Sequence, residues 1–335
     1  MRIHQEKQLS PVADEVLALT AVVRPILRGV LYAIKREVVA EMGGYEGIKL
    51  KILPRAYLQG DGDCGICFEY AVHEALRQED GRVVERISDA AKLCRLNAAS
   101  TPKSILFGLE KTGSQQLIDT ADNILTPESR LLHGTRGQPV KLRKHLSGIA
   151  TAFRKREAVS ALPYSIRGLW KADLFVGFSD EDRWVATTVK INRNHLEGAP
   201  GLRIGIVPAG EGASDAIVKD ESKNLIICPL HHDRNFMQIF YEGWRVVQAF
   251  IKAQARVPKE VVLPSPAERE VARILEQRRD FPVVDVIDAL GVFSQPGLLV
   301  TDDKQVQAQI LSSGQTANTD MVVAPTPLQL DLFDH

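Results

Sequence analysis

The sequence predicts an α/β protein, and two observations carry that expectation. Apolar residues recur at helical spacing over residues 11–42 (Val16, Leu19, Val22, Val23, Ile26, Leu27, Val30, Leu31, Ile34) and over 236–254 (Phe236, Ile239, Phe240, Trp244, Val247, Phe250). Between these stretches lie short apolar, β-branched runs bounded by turn residues, at 173–177, 184–191, 201–208 and 224–230. Runs this short suit buried strands, so helices and a sheet share one chain.

Bulk properties narrow the classes. The chain has 335 residues, 44% of them hydrophobic and 25% charged, which is ordinary globular composition. Its 42 basic and 42 acidic residues cancel, so no global field favours nucleic acid and any such site has to be a local patch. No apolar run is expected to approach the roughly 20 residues needed to cross a bilayer. The first 15 residues lack the apolar stretch of a secretory signal. Cys64, Cys67, Cys94 and Cys228 make no disulfide framework in a chain this long, so a cytoplasmic protein without membrane contact is expected.

Taken in order, residues 1–49 form an N-terminal helical segment, with Ser10 and Pro11 as its N-cap and first helical position and Gly43-Gly44 as its stop. Residues 50–262 form the main domain, opening on a short strand over 50–58 and carrying a partly helical insertion over 78–165. Residues 263–301 form a small helical appendage, with helices beginning at Ser265-Pro-Ala-Glu and at Val283. Residues 302–335 are rich in Gln, Ser, Asn and Thr and read as a flexible tail.

The runs 173–177 and 184–191, joined by the polar link Phe178-Ser-Asp-Glu-Asp-Arg183, read as a β-hairpin. Asp173 opens its first strand and Lys190 closes its second. A lysine in an apolar strand is costly without a partner or a task, and Asp173 is the partner at hand. Side by side, the two suit holding a divalent metal and a hydrolytic water. The plain alternative is an edge hairpin whose Lys190 reaches solvent along its aliphatic stem.

Residues 59–76 are the second informative stretch. A Gly/Asp-rich turn leads into a helix carrying Cys64, Cys67, Phe68, Glu69 and Val72. Three chemistries compete there: an acid presented from a helix (Glu69), a thiol at a helix N-terminus (Cys64 or Cys67), and half a zinc site completed by Cys228, His231 and His232. Buried cysteines without a role are the plain alternative. The trio His231, His232 and Asp233 suits a surface turn and helix cap better than a metal site.

Cations concentrate at Lys141, Arg143, Lys144, His145, Arg154, Lys155, Arg156, Arg167 and Lys171 against the single acid Glu157. In a neutral chain this run is the best candidate for contacting phosphates, with Arg143, Lys144, Arg154, Lys155, Arg156, Arg167 and Lys171 as its contact residues; a solvated face is the ordinary reading of such a run.

Two resemblances sharpen these readings. The order helix with Glu69, insertion, strand with Asp173, strand with Lys190, strand, strand, helix resembles the restriction-endonuclease-like α-β-β-β-α-β core of PD-(D/E)xK nucleases, over about residues 50–255. That resemblance implies that Asp173 and Glu69 ligate Mg²⁺ (or Mn²⁺) and that Lys190 positions or deprotonates the attacking water. The family's second acid, two residues before the lysine, is Thr188 here, and a hydroxyl does not neutralise Mg²⁺ as a carboxylate does. The tail's Gln329-Leu-Asp-Leu-Phe333 resembles the peptide by which bacterial polymerases and repair proteins bind the β sliding clamp, with Gln329, Leu330, Leu332 and Phe333 as the contacts. Together they imply a bacterial Mg²⁺-dependent DNA endonuclease in DNA repair or anti-phage restriction, with DNA and the clamp as partners and a homodimer open. Two alternatives remain: a catalytically inactive DNA- and clamp-binding accessory protein, and a papain-like cysteine peptidase built on the resemblance of Cys64-Gly-Ile-Cys67-Phe68 to that family's nucleophile region, with His195 or His231 as base.

Overall fold

The helical periodicity over 11–42 becomes two helices in the computed structural model, which describes residues 14–58, 60, 63–96, 99–107, 124–132, 139–210, 212, 214–231 and 236–291. Helix α1 (Asp14–Ala33) ends before Lys35, whose extended backbone breaks it from α2 (Arg36–Glu41). The expected cap at Ser10 and Pro11 lies outside the described residues. The expected strand over 50–58 is corrected: the chain makes a single helical turn there, α3 (Leu53–Ala56). Pro54 explains the difference, since it suits the first turn of a helix and cannot donate to a strand ladder.

Helices α4 (Asp63–Arg77) and α5 (Gly81–Leu93) follow. Strand β1 (Lys103–Leu106) lies inside the segment expected to be a helical insertion, which is a second correction. Four residues are too few to betray a period against a polar background. Next come β2 (Arg130–Leu131), β3 (Val140–Lys141), α6 (Leu142–Arg154) and α7 (Tyr164–Arg167). The predicted hairpin is β4 (Leu174–Phe178) and β5 (Arg183–Val189), with Asp173 and Lys190 just outside the two strands. The described residues end with β6 (Leu202–Pro208), β7 (Val218–Asp220), β8 (Leu225–Leu230), α8 (Phe236–Lys252), α9 (Pro266–Gln277) and α10 (Val283–Leu290). Ser265 and Glu268 cap α9 reciprocally, as the Ser-Pro-Ala-Glu start suggests.

The sheet is open and mixed, in the order β1-β4-β5-β6-β8-β7. Strands β1, β4 and β5 run antiparallel; β5, β6 and β8 run parallel; β7 closes the edge antiparallel to β8. Beyond this path, β2 pairs in parallel with the first residues of β5 and antiparallel with β3. The connection from β5 to β6 holds a 3-10 turn (Arg193–His195) rather than the helix that an α-β-β-β-α-β order would place there, and the long helix α8 comes after β8.

The period-two alternation of strands divides the core between the sheet's two faces. Leu174, Val176 and Phe178 of β4 and Val185 and Val189 of β5 share a core with α1, α4 and α8. Phe175, Trp184 and Ala186 pack on the other face with Leu142, Leu146 and Ile149 of α6. Gly177 is required beside this second core, because a Cβ there would lie 2.4 Å from Arg183 O and 2.5 Å from the Trp184 ring.

By length and composition α1 would cross a membrane, although Arg24 and Arg28 interrupt its apolar run. It is instead wrapped by α4, α8, α9 and α10. Val271, Leu275, Val286 and Leu290 of the last two helices belong to the same core. Gly29 lets α4 approach closely: a Cβ at that position would meet Cys67 Cα at 2.9 Å. Across this contact Glu74 is surrounded by cations. Arg24 pairs with it, Arg77 lies at 3.4 Å and Arg28 at 3.8 Å, and Gln78 Nε2 donates to it at 2.9 Å.

Candidate active site

Three elements of this frame deliver Glu69, Asp173 and Lys190 to one place. Asp173 sits at the open end of the β4–β5 hairpin, away from the 179–182 turn. Its backbone is held on both sides: its N–H donates to Thr187 O at 2.9 Å, and its carbonyl accepts from Phe107 N at 2.7 Å. Lys190 lies diagonally across, immediately after the last residue of β5, where its N–H donates to Ile206 O of β6 at 2.9 Å. Glu69 comes from the middle of α4, a helix that packs on β1 and β5.

The side chains meet around one carboxylate oxygen. Asp173 Oδ2 accepts from Lys190 Nζ at 2.7 Å, from Val189 N at 2.8 Å and from Thr188 Oγ1 at 2.9 Å. Lys190 Nζ also lies 3.5 Å from Glu69 Oε1, so one ammonium bridges two carboxylates. Asp173 and Glu69 are 6% and 5% exposed, while the Lys190 side chain keeps 31% of its surface. The acids are recessed and the lysine reaches solvent. Burial pulls the Lys190 ammonium down, but Asp173 and Glu69 outweigh it and leave its pKa raised. Lys190 is therefore charged at neutral pH.

On the exposed surface, Lys171 pairs with Glu197. That pairing, with Lys190 and Lys223 nearby, holds the Glu197 carboxyl below the usual range. Lys171 and Lys190 therefore both act on Glu197. The rest of the basic run is dispersed. Arg143 and Lys144 stand on α6, whose apolar residues cover the sheet face opposite α4. Arg143 donates to Leu125 O at 3.3 Å and Arg167 Nε to Leu162 O at 2.8 Å. Lys155 is exposed just past α6. The side chains of Arg154 and Arg156 lie outside the described residues. So do Gln329, Leu330, Leu332 and Phe333.

One residue pair beside the site has no counterpart in the expectations above. His73, one helical turn past Glu69, is 6% exposed and hydrogen-bonds through Nδ1 to Ser104 Oγ on β1 at 2.7 Å. Burial pushes its imidazole pKa down to about 3, so it is neutral. Its i+4 spacing from Glu69 was the available signal, but without β1 there was no partner to read it against.

The thiols behave differently from a nucleophile. Burial pushes Cys64 up to about 11 and Cys67 well above the ordinary thiol value. A peptidase cysteine requires the opposite shift. Cys67 Sγ donates to Ile26 O at 3.5 Å, and Cys228 Sγ donates to Arg86 O at 3.5 Å. His231 pairs with Asp215, and His232 and Asp233 lie outside the described residues. Among the described residues no group of three or more His, Cys, Asp or Glu side chains converges as a metal cage. The Asp173–Glu69 pair nonetheless fits a Mg²⁺ ion, which is commonly held by one or two carboxylates with water and substrate phosphate filling the remaining positions. Asp173 Oδ1 takes none of the three bonds that converge on Oδ2.

No family model, curated protein or solved structure matches the chain.

Proposed function

We propose that the protein is a Mg²⁺-dependent DNA endonuclease resembling the PD-(D/E)xK nucleases, with Asp173, Glu69 and Lys190 as its centre. One observation carries the reading: two buried carboxylates from different elements share a lysine that reaches solvent. Burying two acids is costly unless they are paired or employed. The helix–β1–β4–β5 succession, with Glu69 on the helix and the acid and lysine on the hairpin, supports the nuclease-type arrangement.

In this mechanism Asp173 and Glu69 would hold the metal, which when bound polarises the scissile phosphate and acidifies a water. Lys190, kept protonated by its two partners, donates to the attacking water or to a phosphoryl oxygen and stabilises the charge that develops there. As an ammonium it does not act as the base. The water's proton passes to a carboxylate or to solvent. The tail's Gln329–Phe333 segment would tether the enzyme to the β sliding clamp of a bacterial cell, in repair or anti-phage defence.

A second reading, a non-cutting DNA- and clamp-binding accessory protein, is favoured by Thr188, whose hydroxyl stands where a second metal-binding acid belongs. Supercoiled and linear DNA incubated with Mg²⁺ or Mn²⁺ separates the two. The endonuclease reading expects nicking or cutting that falls at least ~100-fold in Asp173→Ala and in Lys190→Ala with the fold intact. Full cleavage by both variants overturns this centre, and DNA retardation without cleavage by the wild type selects the accessory reading.

A further inference from the structure

Away from the acidic centre, α3 with the residues just before it, the turn after α8 and the turn after α9 line an open cleft of about 720 Å³. Its charged lining consists of Lys51, Arg55, Arg256 and Arg279, and no acid contributes to it. In a chain of zero net charge, four cations around one concavity are a marked local excess. Among the described residues no salt bridge is formed by Arg55, Arg256 or Arg279, although the Asp280 carboxylate is near enough to be lowered in part by Arg279. Lys51 reaches Asp280 at 2.6 Å, with both partners well exposed, so a phosphate can displace that bond at little cost.

Cations near helix C-termini also complement the helix dipoles, and that accounts for a charge at each end. It does not account for what stands beside them. Phe281 is 57% exposed, one of the largest apolar side chains left in solvent. Its position is fixed by backbone pairing: Leu50 N donates to Phe281 O at 2.9 Å, and Lys51 N to Arg279 O at 2.8 Å. An open aromatic ring is thereby held on the same short ladder as two of the four cations.

A cationic groove with an exposed aromatic on rigid backbone is the chemistry that single-stranded nucleic acid uses, phosphates on the cations and a base on the ring. Arginine guanidinium groups suit phosphate by their planar fork. We propose that the cleft lined by Lys51, Arg55, Arg256 and Arg279, with Phe281 at its side, binds single-stranded nucleic acid. The site is separate from Asp173, Glu69 and Lys190, and it serves the protein whether or not that centre cuts.

The test measures binding of a fluorescein-labelled oligothymidylate to the full chain by anisotropy over a salt series, in an Asp173→Ala background so that cleavage does not interfere. Arg55→Gln with Arg256→Gln, both changes at exposed side chains, is expected to weaken binding at least tenfold at low salt. It should also flatten the log Kd against log salt slope by roughly 1.4, about 0.7 for each lost contact. Phe281→Ala is expected to weaken binding about tenfold with the slope unchanged, since stacking releases no counterions. Unaltered affinity in the arginine variant overturns the site. Unaltered affinity in Phe281→Ala, or equal competition by duplex DNA or by polyglutamate, reduces it to a general anion surface and overturns the single-strand assignment. Melting curves matching the parent's establish that each variant is folded. Loss of cleavage in the wild type would sink the nuclease reading and leave this result standing.

Discussion

Thr188 donates its hydroxyl to Asp173 Oδ2 at 2.9 Å, so the residue two positions before Lys190 serves the acid across the hairpin instead of adding a second one. The oxygen it binds is already shared with Val189 N and Lys190 Nζ. Thr188 therefore helps to fix the carboxylate and contributes no charge of its own.

Replacing it with an acid should change the site's appetite for cations. Thr188→Asp places a third carboxylate beside Asp173 and Glu69, and Mn²⁺ affinity measured by calorimetry is expected to rise at least tenfold, roughly the effect of 1.4 kcal/mol. Thr188→Val removes one of three donors and should cost about 1 kcal/mol of stability in urea unfolding. Unchanged Mn²⁺ affinity in the aspartate variant would mean that the ion does not enter between these residues.

Lys190 should matter to stability as well as to chemistry. Lys190→Met leaves two recessed acids without their cation, and a loss of about 3 kcal/mol or more is expected at neutral pH. The sign of the pH effect follows from the raised pKa of the lysine. Its stabilisation is complete below the ordinary lysine value of about 10.4 and is lost as pH rises through the higher folded value. Urea midpoints across the alkaline range should fall in the wild type and converge on those of Lys190→Met.

His73 predicts an acid-side sensitivity of different origin. Its folded pKa is lowered from 6.5 to about 3, chiefly by burial, with Glu74 opposing and Arg77 and Arg28 reinforcing the shift. Below about pH 6.5 the unfolded chain binds a proton that the folded one refuses, so this group's contribution falls as pH falls toward 3. The stability difference between wild type and His73→Gln should change by roughly 1.4 kcal/mol per pH unit in that window. A difference that stays flat would show that the imidazole is solvated.

Glu74 is the other charge whose removal should be expensive. Burial raises its carboxyl, but Arg24, Gln78, Arg77 and Arg28 together bring the pKa below the usual range. Its stabilisation is therefore present above about pH 4.5 and is lost as pH falls through the folded value. Glu74→Ala leaves Arg24 confined between α1 and α4, and a loss of about 3–5 kcal/mol is expected in chemical denaturation.

The hairpin and the helix of Glu69 were legible because each carries a local period or turn signal. A charged residue at the end of an apolar strand is conspicuous in any sequence. The meeting of Asp173 with Lys190 follows from hairpin register, which a sequence encodes well. Strand β1 was hidden, because Lys103-Ser-Ile-Leu106 is short and surrounded by polar chain. With β1 hidden, the His73–Ser104 bond was hidden too. The basic run illustrates a different limit: closeness in sequence does not say which side of a sheet a helix covers, and α6 carries Arg143 and Lys144 to the face away from α4. The cationic cleft was invisible for the same reason. Its residues are drawn from three separate stretches around positions 51–55, 253–256 and 279.

The placement of α1 has a consequence for how the chain comes to life. Arg24 donates to the carbonyl of Ile287, a residue 263 positions further along. α4 can cover one side of α1 soon after both are made, but the side that α8, α9 and α10 cover waits for them. At roughly 5–20 residues per second, that interval is on the order of 15–50 s. Throughout it the side of α1 away from α4 stays uncovered, a surface a chaperone that shelters nascent chains can hold.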